Sequence, residues 1–178
     1  KEKIFEMVKE YYNTYQKEEK AFSPGDSIRY AGRVYDENEL INGADSVLEF
    51  WLTAGRYTAE LENALKEYLD VKYASLTNSG SSANLLAFMA LTSHLIEEKR
   101  RVFPGDEIIT VAAAFPTTVT PIIQFGAVPV FVDIKIPYYN IDVERLEEAL
   151  SEKTKAVFIA HTLGNPFDLK TVKEFCDR

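Results

Sequence analysis

The sequence is poor in cysteine and in long apolar runs. Its one cysteine, Cys176, has no partner for an internal disulfide, and we expect it to be a small buried residue of the last helix. No apolar stretch reaches the roughly 18 residues of a membrane span, so we expect no membrane partner. Residues 1–6 lack the apolar segment of a signal peptide, and these absences together predict a cytoplasmic protein.

Basic residues are scarce relative to acidic ones. The 178 residues carry 20 Lys and Arg against 28 Asp and Glu, a net charge of −8. So acidic a chain is poorly suited to nucleic acid, and we expect no such partner. Hydrophobic residues make up 46%, which excludes a disordered chain and predicts a well-filled core or a large interface.

The chain also lacks a Walker loop and a G-x-G-x-x-G fingerprint. It has instead a turn of small residues at 77–84, between an apolar run at 73–77 and a helical apolar pattern. The first N–H groups of a helix are unpaired and carry partial positive charge, and glycine permits close approach. We therefore predict that Gly80, Ser81 and Ser82 hold a phosphate. The alternative is a serine N-cap at Ser79 or Ser81 without a ligand.

From residue 70 the chain alternates between apolar strands and helices. The predicted strands are 73–77, 107–111, 128–133 and 156–160, and the predicted helices are 82–98, 116–125, one capped by Asp142, and 169–176. Such strands indicate a mostly parallel sheet covered by helices on both faces, an α/β fold. Ligands bind beyond the carboxyl ends of parallel strands, so we expect the loops 78–82, 112–116 and 161–166 to converge on one crevice.

The residues before 70 predict a tyrosine-rich helical arm. We expect helices at 3–18, 44–52 and 59–69, the last capped by Thr58, with short strands near 33–35 and a turn at 42–43. Arms of this kind often lie across a partner subunit or over a site. The predicted division is an N-terminal helix and arm, 1–57, and the N-terminal part of an α/β domain, 58–178.

Five motifs in order resemble those of the DegT/StrS sugar aminotransferase family. They are Ser-Gly-Ser-Ser-Ala at 79–83, Ala-Phe-Pro-Thr-Thr at 114–118, Gly-Ala-Val-Pro-Val-Phe-Val-Asp at 126–133, Tyr-Asn-Ile-Asp at 139–142 and His-Thr-Leu-Gly-Asn-Pro at 161–166. The resemblance runs from about Val47 to the last residue. It implies the aspartate aminotransferase-like fold (fold type I) and a vitamin B6 phosphate cofactor.

The arm and Gly-Arg-Tyr-Thr at 55–58 most resemble the CDP-6-deoxy-hexulose 3-dehydrases. These lyases use pyridoxamine phosphate and a 2Fe–2S cluster to remove the C3 hydroxyl of a CDP-4-keto-6-deoxyhexose, for the dideoxysugars of lipopolysaccharide O-antigens. The resemblance implies a homodimer and an NADH-dependent iron–sulfur flavin reductase as electron partner. The alternatives are a pyridoxal phosphate-dependent nucleotide-sugar aminotransferase, a non-catalytic phosphate- or nucleotide-binding module, and an interaction domain.

The resemblance gives Gly80, Ser81 and Ser82 to the cofactor phosphate, in agreement with the anion site above. It gives Phe115 to stacking on the pyridine ring and Asn165 to a hydrogen bond with the phenolic oxygen. Taken by itself, Phe115 favours a core phenylalanine at a helix start, and Asn165 favours an Asn-Pro turn.

Four further residues, Arg29, Arg33, Arg56 and Tyr57, are candidates for the substrate, since arginine binds a diphosphate through its forked guanidinium. His161 favours a structural histidine at a strand end over a general base.

The resemblance places the remaining chemistry downstream of Arg178. It implies that the acid on the pyridine nitrogen, the Schiff-base lysine or its histidine replacement, and the cluster cysteines all follow this chain. We therefore expect catalytic residues and metal ligands outside it, a fold incomplete at its C-terminus, and no activity from the 178-residue piece alone.

Overall fold

The structure, a computed structural model, describes residues 1–17, 21–28 and 31–178. Its contacts divide the chain into two units, Lys1–Ser75 and Leu76–Arg178. The predicted division at 57 and 58 instead assigns the helix that begins at Arg56 to the sheet domain, and it stays a prediction for the whole protein.

The first unit is built on three helices, α1 (Glu2–Tyr15), α2 (Glu37–Glu49) and α3 (Arg56–Leu69). Helices α1 and α2 pack against each other. The Tyr12 ring meets Tyr35 edge-on with centroids 5.9 Å apart, and its hydroxyl donates to the Tyr35 carbonyl at 3.2 Å. Tyr12 thereby joins α1 to the segment that precedes α2.

Helix α2 begins earlier than predicted, so the turn expected at 42–43 is wrong. Asp36 accepts from the Asn38 N–H at 2.7 Å, while Glu39 accepts from the Asp36 N–H at 2.7 Å. This capping box starts the helix, and one interior glycine costs only about 1 kcal/mol. The strands expected near 33–35 are also absent from the described residues, where Val34 is 99% exposed and no strand is available to pair with it.

Gly55 is the N-cap of α3, so the prediction that Thr58 caps this helix is wrong. Thr58 occupies the third helical position, and its hydroxyl accepts from the Gly55 N–H at 3.5 Å. Gly55 is required by packing, because a Cβ there would lie 2.8 Å from Trp51 Cδ1. The Trp51 indole is held in place by donating to the Ala54 carbonyl at 2.7 Å.

The second unit contains a parallel sheet in which β1 (Glu107–Val111) lies between β2 (Val128–Val132) and β5 (Thr154–Val157). A short antiparallel hairpin, β3 (Ile134–Lys135) with β4 (Asn140–Ile141), follows β2 and was not predicted. The helices are α4 (Gly80–Ala90), α5 (Pro116–Phe125) and α6 (Leu169–Cys176), and short 3-10 turns lie at Glu98–Arg100, Val143–Arg145, Glu147–Ala149 and Thr162–Gly164.

Strand β1 is buried on both faces, and its alternate residues enter two cores. Ile108 packs with Phe88 of α4 and Ile122 of α5, whereas Ile109 packs with Leu146 and with Val172 of α6. The predicted α/β fold, a parallel sheet covered on both faces, is thereby confirmed.

Five details after residue 70 differ from the prediction, and the first is β5, which covers Thr154–Val157 instead of 156–160. Residues 73–77 are assigned to no strand of the described chain. Helix α4 ends at Ala90, because the Thr92 hydroxyl bonds back to the Met89 carbonyl at 2.8 Å and competes with a further turn. Asp142 caps a 3-10 turn instead of an α-helix. Cys176 is exposed, lining an open groove beside Leu150.

None of the helices in the described part of the chain is long and apolar enough to cross a bilayer.

Neighbouring isoleucines of α5 allow a test of this packing. Ile122 is fully buried and Ile123 is 60% exposed. We expect Ile122→Ala to lower the free energy of unfolding by about 3 kcal/mol, because it leaves a cavity between α5 and the sheet. The matched Ile123→Ala change should cost less than about 0.5 kcal/mol. Urea unfolding measures both, and equal losses would contradict this orientation of α5.

Candidate functional site

The carboxyl ends of the three parallel strands meet at one edge of the sheet. Strands β1 and β5 are neighbours, so the loops that follow them, 112–115 and 158–168, leave from this edge. Helix α5 starts directly after the first of these loops, and the β3–β4 hairpin follows β2 at the same edge. The candidate residues of loops 112–116 and 161–166 are therefore brought to the same side of the molecule.

The α4 N-terminus lies beside the α5 N-terminus. The Asn84 amide donates to the Thr117 hydroxyl at 3.3 Å, and an open groove between the two helices is lined by Ser81, Ser82 and Thr120 among others. Ser79 caps α4, because its hydroxyl accepts from the Ser82 N–H at 3.2 Å. Two positive helix ends thus adjoin at the edge where ligands of parallel sheets bind.

The first turn of α4 keeps donors free for a ligand. Among the described residues, no acceptor lies against the Gly80 or Ser81 N–H, and no partner lies against the Ser81 hydroxyl. Gly80 has no positive φ, and a Cβ built on it would meet nothing within 4 Å. Neither backbone conformation nor internal packing therefore explains a glycine here, whereas the approach of an anion does.

Phe115 stands at the start of α5 and is 71% exposed. Phe115 is thus not a core residue among the described residues of this chain. Within the described residues its ring has no aromatic neighbour, so a flat apolar face is open at the carboxyl edge of the sheet. A planar ring ligand would find an offset-stacking surface there.

Asn165 follows a 3-10 turn in which Leu163 and Gly164 both have positive φ, 52° and 79°. Its side-chain amide donates to the Tyr138 carbonyl at 3.1 Å, which leaves the second amide N–H without a partner in the described chain. No hydrogen bond there joins Asn165 to Phe115 or to α4, so these candidates share an edge without touching.

His161 has the structural role that the sequence favoured. Its ring stacks on Phe167 with centroids 4.3 Å apart, and its Nδ1 accepts from the Phe167 N–H at 3.3 Å. The imidazole is thereby held as part of the loop.

Asn140, which contacts this loop, lies in the motif at 139–142 but was not predicted as a site residue. Asn140 is only 6% exposed, and its amide bonds to the backbone at Thr162 and Asn165. The available signal was a polar residue between Tyr139 and Ile141, inside a short apolar strand.

The substrate candidates belong to the first unit. Arg29 lies outside the described residues, and Arg33 is exposed. Arg56 forms ion pairs with Asp45 and, at 3.3 Å, with Glu49.

Tyr57 donates to Asp45 at 3.0 Å, and Lys1 lies 2.6 Å from the same carboxylate. The hydrogen bond that Arg56 donates to Glu49 raises the pKa of the Arg56 guanidinium above its usual value. To bind a diphosphate, Arg56 would have to give up its ion pairs with Asp45 and Glu49.

Comparison with known proteins identifies the family. Residues 34–178 match the DegT/DnrJ/EryC1/StrS aminotransferase family, and the chain belongs to it. It is 48% identical to the lipopolysaccharide biosynthesis protein RfbH of Salmonella typhimurium, over 100% of this chain and 40% of that protein. It is 41% identical to dTDP-4-dehydro-2,6-dideoxy-D-glucose 3-dehydratase of Saccharopolyspora spinosa, over 98% and 37%.

Solved structures agree. The E. coli GDP-4-keto-6-deoxy-D-mannose-3-dehydratase with bound hydrated PLP superposes with a TM-score of 0.74 at 34% identity, over 83% of this chain and 37% of that one. The PLP form of a putative sugar aminotransferase from Streptococcus pneumoniae gives 0.70 at 29% identity, over 83% and 35%. The predicted family and fold type I are confirmed, and the chain spans about two fifths or less of these proteins.

The carboxylates around Arg56 make the first unit sensitive to acid. Hydrogen bonding by Lys1 lowers the pKa of Asp45 from 3.8, and bonding by Arg56 lowers the pKa of Glu49 from 4.5. Since both folded pKa values are depressed, their stabilisation is complete above the unfolded values and is lost as pH falls through the folded values.

We therefore expect Asp45→Asn to lower the melting temperature at pH 7, with a difference from wild type that shrinks steadily below about pH 4. Thermal unfolding across pH measures this. Glu67→Gln, at an exposed carboxylate of α3 without an ion pair in the described residues, serves as control and should show no such trend. A gap that persists unchanged in acid would refute the assignment.

Proposed function

We propose that the protein containing this chain is a B6-dependent 3-dehydratase, which removes the C3 hydroxyl of a nucleotide-activated 4-keto-6-deoxyhexose in O-antigen dideoxysugar synthesis. The observation that carries the proposal is the first turn of α4, where free N–H donors surround a glycine that nothing inside the chain requires. Similarity to RfbH along the whole chain supports the pathway, and a CDP-sugar is the substrate we favour.

The residues present fit pyridoxamine or pyridoxal phosphate. Gly80, Ser81 and Ser82 would hold the phosphate, Phe115 would lie on the ring, and Asn165 would use its free amide N–H for the phenolic oxygen. When bound, such a cofactor supplies the electron sink that loss of a hydroxyl requires.

The chain's own contribution is to bind and orient. No basic side chain of the described residues lines the groove, so the partial positive charge of the two adjoining helix ends would stabilise the phosphate. This contact would fix one end of the ligand. Phe115 would shield one ring face from water. Holding the phosphate, one face and one ring substituent leaves a planar ligand a single orientation.

The remaining parts of the proposal concern the intact protein. We propose that its catalytic acid and base and the ligands of a 2Fe–2S cluster lie outside this chain, and that an NADH-dependent iron–sulfur flavin reductase supplies electrons in the cytoplasm. A homodimer is supported by the exposed apolar run Phe50, Trp51 and Leu52, which are 81%, 62% and 69% accessible.

A nucleotide-sugar aminotransferase is the second candidate, because proteins named as sugar aminotransferases are also among the relatives. Lysine at the Schiff-base position of the intact protein would select it, and histidine would select the dehydratase.

An absorption spectrum of the intact protein with pyridoxamine phosphate tests the proposal. We expect cofactor bands together with the broad visible absorption of an iron–sulfur cluster. Bands without the cluster would favour the aminotransferase or a cluster-free dehydratase. No bands at all would contradict B6 chemistry.

Substitution of Gly80 separates ligand binding from folding. A methyl group there meets no protein atom, so Gly80→Ala should change the free energy of unfolding by no more than about 0.5 kcal/mol. It should raise the Kd for pyridoxal phosphate by about tenfold or more, because the methyl occupies the place of the phosphate.

Gly43→Ala is the matched control, since Gly43 is also helical and also faces open space. We expect it to stabilise α2 by up to about 1 kcal/mol with no change in Kd. Equal Kd values for wild type and Gly80→Ala would contradict the proposal that the phosphate binds at the N-terminus of α4.

A further inference from the structure

The β3–β4 hairpin and the loop that carries Asn165 hold each other through two side-chain amides. Asn140, in β4, accepts from the Thr162 N–H at 3.1 Å and donates to the Asn165 carbonyl at 3.1 Å. Asn165 returns a bond in the other direction, because its own amide donates to the Tyr138 carbonyl at 3.1 Å. Each partner thus uses a side chain to grip the backbone of the other.

Burial makes the Asn140 bonds consequential. Because Asn140 is only 6% exposed, water cannot readily replace a hydrogen bond that its amide loses. Loss of either bond would therefore leave a buried polar group unpaired, at a cost in free energy. Its position in the hairpin is fixed by pairing with Lys135 and by the next residue, Ile141, which is buried in the core of the sheet. The loop is therefore tied to an element that the core already holds.

The same bonds determine how Asn165 is presented. The Tyr138 carbonyl can only accept, so the nitrogen of the Asn165 amide must face it. With the Asn165 carbonyl held by Asn140, both the backbone and the side chain of Asn165 are set by the hairpin. The loop passes through two residues of positive φ, Leu163 and Gly164, and this conformation is sterically costly at Leu163, so the loop depends on contacts that hold it.

We propose that Asn140 is a positioning residue, which sets the orientation in which Asn165 meets the cofactor. This inference rests on the proposed function, in which Asn165 touches the ring. The position requires a side chain that donates on one side and accepts on the other, with the length of asparagine to reach both partners. A carboxylate would face the Asn165 carbonyl with like polarity, and an aliphatic side chain would leave the buried N–H and C=O of the loop unpaired.

The test is a double-mutant cycle in the intact protein, with pyridoxal phosphate as the ligand. Asn140→Asp keeps the size and the acceptor and removes the donor. We expect it to raise the Kd by about tenfold and to weaken the visible circular dichroism of the bound cofactor. In the Asn165→Ala background the same change should alter the Kd by less than about twofold, because no side chain remains to be oriented.

Ile141→Val is the matched control for a merely structural role. It removes one methyl from the adjacent buried residue of β4 and should lower the melting temperature while leaving the Kd and the circular dichroism within about twofold of wild type. If Asn140→Asp does not fold, Asn140→Ser replaces it in the cycle.

The outcomes separate two failures. Wild-type protein that binds no pyridoxal phosphate would refute the proposed function and this inference with it. Wild-type binding with an unchanged Kd in Asn140→Asp would overturn the positioning role alone. An equal effect of Asn140→Asp with and without the Asn165 side chain would overturn it as well, because Asn140 would then act by another route.

Discussion

The burial of β1 on both faces is the constraint on which the second unit depends. A parallel strand between two others has both faces covered, and Ile108 and Ile109 are both fully buried, one in each core. Once β1 is fixed, its carboxyl end defines the edge at which α5 starts and the loops gather. The position of the candidate site therefore follows from the position at which β1 ends.

Sequence patterns were most reliable where one physical signal was strong and local. Strand β1 and helices α5 and α6 have the predicted bounds, because each combines an apolar pattern with a clear terminus such as Pro116, Gly126 or Asp168. The errors in the first unit have a different origin. The capping box at Asp36 outweighed a glycine, and the approach of Trp51 to Gly55 set the start of α3, and neither is visible in hydrophobic periodicity.

The candidate site divides in the same way. The anion-binding turn of α4 could be predicted because it is one continuous segment with a Ser79 cap. The hold of Asn140 on the loop joins residues more than twenty positions apart, and it depends on an unpredicted hairpin. Residues 73–77 carried a strand pattern, yet no strand of the described chain pairs with them. Pairing partners and long-range polar contacts are properties of the fold, so local sequence does not reveal them.

The use of helix ends in place of basic side chains in the α4–α5 groove has a consequence for how a phosphate would respond to its surroundings. Lysine and histidine change charge as they titrate, whereas the dipole of a helix and its N–H donors have no proton to lose in the ordinary pH range. If only these groups hold a phosphate, the phosphate is the group that titrates. The pH dependence of binding would then follow its second ionisation, near pH 6. Because the protein has a net charge of −8, it does not attract an anion from a distance. The helix ends attract a phosphate only at short range.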